Sequence, residues 1–235
     1  MNPPSFSNRA HAGRLLASAL MQHAGRPDVL VLALPRGGVP VASEIARKLH
    51  APLDVLVVRK LGVPGYAELA MGAIATGGVQ IIDHDMMRTL GIPRAALEAE
   101  AAVQRQELHR RELAYRGHSA PPSVAGKTVI LVDDGIATGS TLRAAVQALR
   151  PQHPRQIIIA APIASRQACA ALRPLVEGLL ALDTPADFRG VSQGYADFTQ
   201  TTDAEVTQLL ASAEALPAPH LPPQSCTSQT IPASL

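Results

Sequence analysis

Val129-Ile130-Leu131-Val132-Asp133-Asp134-Gly135-Ile136-Ala137-Thr138-Gly139-Ser140-Thr141 is the stretch from which the rest of the chain is read. Four apolar residues, three of them β-branched, make a short buried strand. Two carboxylates stand at its carboxyl end, and a turn of small residues leads into a helical pattern from Ser140. In an open α/β sheet, ligands bind at that end of the strands. Gly135 and Gly139 let the backbone bend closely around an anion, while Thr138, Ser140 and Thr141 supply hydroxyls. The following helix aims its free N–H groups and positive dipole end at the same point. Gly135, Ala137, Thr138, Gly139, Ser140 and Thr141 therefore read as a phosphate cradle. The plainer reading is an Asp-Gly turn whose Ser140 or Thr141 caps a helix.

Adjacent carboxylates repel a phosphate. Asp133 and Asp134 make sense where they meet hydroxyls of the same ligand and, through water, a Mg²⁺ ion, so a phosphorylated sugar fits. The turn has no Lys before its Ser/Thr, and no G-x-G-x-x-G follows a strand. Nucleotide hydrolysis and hydride transfer both lose ground.

Outward from this stretch, apolar runs at 29–34, 55–58, 128–132, 157–161 and 179–182 read as short buried strands. Helical patterns at 39–49 and 140–149 are long enough for crossovers. The expected fold is α/β: an open, parallel, twisted sheet flanked by helices. Residues 70–75 and 79–83 flank Thr76-Gly77-Gly78, which predicts a β-hairpin projecting after the second strand. A long polar helix is expected from 94 to 115, with Glu107/Arg111 and Glu112/Arg116 as i, i+4 pairs. Its His109-Arg110-Arg111 run reads as a solvated face.

Hydrophobic residues make up 47% of the 235 and charged residues 17%, which places the chain among globular proteins. Aromatics are only 3%, so the core must be aliphatic. A net charge of +2 with interspersed signs gives no broad footprint for a nucleic-acid backbone. The two cysteines, Cys169 and Cys226, suggest no disulfide framework and a reducing compartment. No stretch approaches the roughly 20 apolar residues of a membrane span, so the cytoplasm is the expected location. The eight His residues show no metal-ligand spacing. The expected organisation is one domain over 1–215 and a disordered, Pro-rich tail over 216–235.

The quoted stretch resembles the phosphoribosylpyrophosphate signature of type I phosphoribosyltransferases: a hydrophobic run, two acidic residues, then a Gly/Thr/Ser turn. The resemblance extends from about residue 6 to 198. It implies that Asp133 and Asp134 contact the ribose hydroxyls and that Ala137 to Thr141 wrap the 5-phosphate, mainly through backbone amides. Leu34-Pro35-Arg36-Gly37-Gly38-Val39-Pro40 resembles the family's pyrophosphate loop, often built on an unusual cis peptide, with Arg36 and Gly37 holding the leaving group. Without a ligand the same residues read as a strand-to-helix turn. Lys60, read as closing the second strand, is implied to neutralise pyrophosphate charge, its plain alternative being a surface lysine. Residues 62–83 take the place of the family's mobile loop, through which Tyr66 and Glu68 would enter the closed site.

The resemblance further implies a core over about 25–185 and a hood from 1–24 and 185–200. Phe188 and Tyr195 are candidates for stacking on an acceptor base, although they, with Phe198, suit equally an anchor for the last segment. The implied activity is a Mg²⁺-dependent transfer that displaces pyrophosphate from 5-phosphoribosyl-1-pyrophosphate by a nucleobase or similar acceptor. Asp133, Asp134 and Lys60 carry the chemistry, and a homodimer is allowed. A second possibility is a regulator that senses phosphoribosylpyrophosphate or a nucleotide without chemistry. A phosphohydrolase using the acidic pair comes last, because the cradle lacks a nucleophile.

Overall fold

Residues 4–214 are described in a computed structural model of the chain, the side chains at 67, 68 and 214 excepted. The expected tail, with Cys226, lies outside them, as does the side chain of Glu68. In chain order the principal elements are α1 (Arg9–Ala19), β1 (Val29–Ala33), α2 (Gly38–Leu49), β2 (Leu53–Val55), β3 (Val58–Val63), β4 (Tyr66–Ala75) and β5 (Val79–Ile82). There follow α3 (His84–Thr89), α4 (Arg94–Arg116), β6 (Thr128–Val132), α5 (Ser140–Leu149), β7 (Gln156–Ile163), α6 (Arg166–Leu172), β8 (Gly178–Asp183) and α7 (Asp203–Glu214).

Every residue of β1 and of β6 is buried, as their unbroken apolar sequences require of strands covered on both faces. The strand period of two divides them between two cores. Val29, Val31, Ala33, Ile130 and Val132 face α1, α2, α4 and α7. Leu30, Leu32, Val129 and Leu131 face α5 and α6. The sheet is wholly parallel, in the order β2-β1-β6-β7-β8. The chain runs from β1 outward to β2, then returns to place β6 on the other flank of β1. The carboxyl ends of β1 and β6 are therefore a topological switch point, where such sheets leave a crevice for ligands.

A second sheet, β3-β4-β5, is antiparallel. The β4–β5 turn falls on Thr76-Gly77-Gly78, with both glycines at positive φ, as the sequence predicts. The first strand departs from expectation. The apolar run at 55–58 is no single strand: β2 ends at Val55, and β3 begins at Val58 in the other sheet. Thr76 ties the crossing, its N–H donating to the Val57 carbonyl at 2.9 Å and its hydroxyl accepting from the Val57 N–H at 3.0 Å. One apolar run feeds two sheets, and hydrophobicity alone does not mark the exit. Arg59 and Lys60 accordingly lie inside β3 and do not close the second strand.

The long helix forms as α4, and both expected pairs are present, Arg111 to Glu107 at 2.7 Å and Arg116 to Glu112 at 3.6 Å. Arg110 is half exposed and pairs with Glu107 at 2.8 Å. Among the described residues, no helix is long and apolar enough to cross a membrane.

Candidate functional site at the sheet switch point

The cradle engages the carbonyls of Ile136, Ala137 and Gly139 while sparing the amides of residues 137 to 139. Ile136 bridges to Ala164: its N–H donates to the Ile163 carbonyl at 2.9 Å, and its own carbonyl accepts from Ser165 N–H at 2.8 Å. The Ser165 hydroxyl donates to the Ala137 carbonyl at 2.7 Å. Among the described residues, the N–H groups of Ala137, Thr138 and Gly139 find no protein acceptor. Those of Thr141 and Leu142 are free as the first turn of α5 requires. Gly139 has φ +74°, a left-handed conformation that favours glycine. The Thr138 and Ser140 hydroxyls lie 3.1 Å apart at the mouth of the turn. Acceptor-free amides, two hydroxyls and a helix N-terminus occur within this one turn, which is the composition of an anion site.

The loop after β1 abuts this turn. Its Pro35–Arg36 peptide is cis, and among the described residues the N–H groups of Arg36 and Gly37 have no protein acceptor. Gly37 lies so close to Asp134 that an added Cβ would fall 2.6 Å from the carboxylate carbon. The Arg36 guanidinium points toward α7, 3.9 Å from Asp203. Asp203 also accepts from the Tyr115 hydroxyl at 2.7 Å and lies 3.9 Å from Arg110. Burial and that bond to Asp203 push the Tyr115 hydroxyl up to about 12.

Between the two loops stand the carboxylates. Asp133 accepts from the Asp134 N–H at 2.9 Å. Burial and the neighbouring Asp134 charge hold Asp133 well above the ordinary carboxylate range. Burial also raises Asp134, opposed by Arg9. Arg9 Nε donates to Asp134 Oδ2 at 2.8 Å, and Arg9 Nη2 lies 2.7 Å from the same oxygen. Nη1 donates to the Thr199 carbonyl at 2.7 Å, and the guanidinium carbon sits 4.0 Å from the Phe198 ring centroid. The second oxygen, Asp134 Oδ1, is not the one Arg9 holds.

The hood residues close over this point. Phe6 pairs with Tyr195 through Phe6 N–H to the Gly194 carbonyl, 2.9 Å, and Ala196 N–H to the Phe6 carbonyl, 2.8 Å. Tyr195 is 5% exposed, its ring packed between Phe6 and Phe198 at centroid separations of 5.6 and 5.0 Å. Its hydroxyl donates to the Asp134 carbonyl at 2.6 Å, and burial pushes its pKa up. Tyr195 is therefore committed to anchoring the segment and offers no open face for a base. Phe188 packs partly buried beside the same cluster.

Arg36, Gly37, Asp133, Asp134 and Gly135 to Thr141 are thus gathered at one place. Lys60 is exposed on β3 and shares a cleft with Ser140 and Arg143. Tyr66 is 63% exposed in β4. Arg9 and Asp203 were not legible in sequence, because no local pattern marks a residue whose partner lies far along the chain. Three or more His, Cys, Asp or Glu groups that would cage a metal are absent among the described residues. Two carboxylates, one already engaged by Arg9, suit Mg²⁺ only as an ion that arrives on a ligand's own phosphates.

Residues 7–175 match the family model of the phosphoribosyl transferase domain, and the chain belongs to that family. A Mycobacterium tuberculosis H37Rv protein, provisionally named a phosphoribosyl transferase, is 45% identical over 205 residues, which are 87% of this chain and 46% of the relative. The chain thus spans about half the length of the curated relatives it matches. The bifunctional protein PyrR of Citrifermentans bemidjiense is 30% identical over 159 residues, 65% of this chain and 79% of that one. The crystal structure of TT1426 from Thermus thermophilus superposes with a TM-score of 0.80 at 41% identity, covering 88% of this chain and 98% of that one.

Proposed function

We propose that this phosphoribosyl transferase family member binds 5-phosphoribosyl-1-pyrophosphate at the switch point and transfers its phosphoribosyl group to a nucleobase or similar acceptor. One observation carries the reading. The acceptor-free amides of Ala137 to Gly139 lie beside a second loop, Arg36-Gly37, whose amides are likewise without acceptors, with two carboxylates between them. Two anions joined by a hydroxyl-bearing unit fit that spacing of donors and carboxylates.

In this reading the cradle holds the 5-phosphate and the Arg36-Gly37 backbone holds the pyrophosphate. Asp134 Oδ1 and the Asp133 carboxylate take the ribose hydroxyls. The acceptor nitrogen forms a bond to the anomeric carbon as the carbon–oxygen bond to pyrophosphate breaks, and the electron pair leaves with pyrophosphate. Positive charge builds on the ribose ring in the transition state, and carboxylates fixed nearby stabilise it. Mg²⁺, brought by the pyrophosphate and met by Asp133 and Asp134 through water, would neutralise charge on the leaving group. Lys60, on the Ser140 side of the cradle, would add positive charge toward the pyrophosphate.

Calorimetric titration with Mg²⁺ and phosphoribosylpyrophosphate tests the binding, and pyrophosphate release across a panel of bases tests the chemistry. One equivalent bound, followed by base-dependent release, is the expected result. Absence of binding would remove the proposal, and binding without release for any base would move the protein to ligand sensing. Phosphate release with no acceptor added would point instead to a hydrolase.

A further inference from the structure

The antiparallel sheet presents one side to α4 and the other to α5. Arg59, on the α4 side, donates to Gln104 at 2.8 Å, and Leu61 beside it is buried among α4 residues. The alternation of a strand sends Lys60 the other way. The register places Lys60, Ala73 and Ile81 in one row across β3, β4 and β5, and all three line a cleft of about 620 Å³ whose opposite wall is α5. That volume falls within the usual span of small-molecule sites, roughly 300–1,000 Å³.

The walls differ in chemistry. The sheet side carries small and aliphatic side chains such as Ala73 and Ile81, and beyond them at the start of α3 stand Asp83, which caps that helix by accepting from Met86 N–H at 2.8 Å, and Asp85, which pairs with Arg88. On the α5 side Ser140, Arg143 and Gln147 project from successive turns. Most arginines of this protein are matched with a carboxylate, yet neither Lys60 nor Arg143 has an acidic group within 4 Å among the described residues. Two cations from different elements, neither paired with a carboxylate, suit a compact anion. The apolar sheet wall asks for a planar ring.

We propose that the cleft between α5 and the β3-β4-β5 sheet is a second ligand site, which takes a nucleoside monophosphate with its phosphate against Lys60 and Arg143 and its base on the Ala73–Ile81 surface. This goes beyond the phosphoribosyl reading and does not depend on it. The site meets the cradle at Ser140, and Asp133, Asp134 and the Arg36 loop are not among its lining residues.

The probe is adenosine 5′-monophosphate, titrated calorimetrically with Mg²⁺ and phosphoribosylpyrophosphate in excess so that the cradle is filled. Wild type is expected to take up the nucleotide. Arg143→Glu, an exposed helix substitution, is expected to weaken that uptake by at least about tenfold, or 1.4 kcal/mol, and Arg143→Lys to restore most of it. Phosphoribosylpyrophosphate affinity should stay unchanged in both. Three outcomes would overturn the proposal: no uptake by wild type, uptake that survives Arg143→Glu, or loss of phosphoribosylpyrophosphate binding along with it, since Arg143 would then belong to the cradle. A wild type that fails to bind phosphoribosylpyrophosphate defeats the proposed transferase instead, and leaves the comparison of Arg143→Glu with wild type to be read alone.

Discussion

Arg9 and Asp134, 125 positions apart in sequence, form one ion pair in which Nε and Nη2 of the guanidinium both reach the same carboxylate oxygen, at 2.8 and 2.7 Å. Their side chains are 11% and 15% exposed, so the pair is largely withdrawn from water. Removing one partner of such a pair leaves an uncompensated charge and costs about 3–5 kcal/mol. Arg9→Met should therefore lower thermal stability sharply, and Arg9→Met with Asp134→Asn should recover much of the loss. Calorimetric melting of the four members of that cycle checks it, and additive losses would show the pair to be uncoupled.

Asp133 should be a residue whose chemistry and stability pull in opposite directions. Its folded-state pKa is raised, so the folded protein holds that proton more tightly than the unfolded chain does. The associated stability is present at acid pH, below the ordinary carboxylate value, and is lost as pH rises through the raised value. Asp133→Asn should melt higher than wild type at pH 7, by roughly 2–4 °C for each kcal/mol recovered in a chain this size, with the gap closing near pH 4. Combined with Asp134→Asn it should abolish pyrophosphate release while the fold persists by circular dichroism.

Gly37 carries no side chain because Asp134 fills the place one would take. Gly37→Ala should push the loop or the carboxylate aside, at a cost of about 1–3 kcal/mol. Binding of Mg²⁺ and phosphoribosylpyrophosphate should weaken by tenfold or more, about 1.4 kcal/mol. Unchanged affinity by calorimetry would mean that the two loops do not act on one ligand.

His23 gives a pH dependence with a different origin. It is 7% exposed, and among the described residues its Nδ1 has no hydrogen-bond partner. Burial, aided by the Arg26 charge, depresses its pKa below 6.5. The unfolded chain then binds the proton first as pH falls, so stability declines from about pH 6.5 down through the depressed folded-state value. His23→Met should flatten the melting temperature between pH 7 and pH 5, and an unaltered slope there would place the effect elsewhere.

The two loops that meet at the switch point were legible because each is a local pattern. A buried strand, small residues and a helix start lie within thirteen positions at 129–141, and the loop at 34–40 is shorter still. The β4–β5 hairpin was equally local, since Thr76-Gly77-Gly78 supplies the positive φ its turn needs. Arg9, Asp203 and the Tyr195 bond to the Asp134 carbonyl could not be read, because each acts on a residue brought near only by the completed sheet. The split of 55–58 between two sheets was hidden for a related reason: Thr76, which holds the crossing, belongs to a different part of the chain. The use of the aromatic residues could not be decided from composition. With so few rings in the chain, the same three side chains suit a core anchor and a stacking surface, and only burial separates the uses for Tyr195.

The pairing of Phe6 with Tyr195 has a consequence for biosynthesis. A ribosome that has just released residue 149 has delivered both anion-facing loops, yet Asp134 still lacks the tyrosine under its carbonyl, and Arg9 still lacks the aromatic plane and the Thr199 oxygen that aim it. The pocket is thus incomplete until Ile163 and Ser165, which tie down Ile136 and Ala137, and then residue 199 have followed, and the counter-charge is seated only when the late segment folds back upon the earliest one.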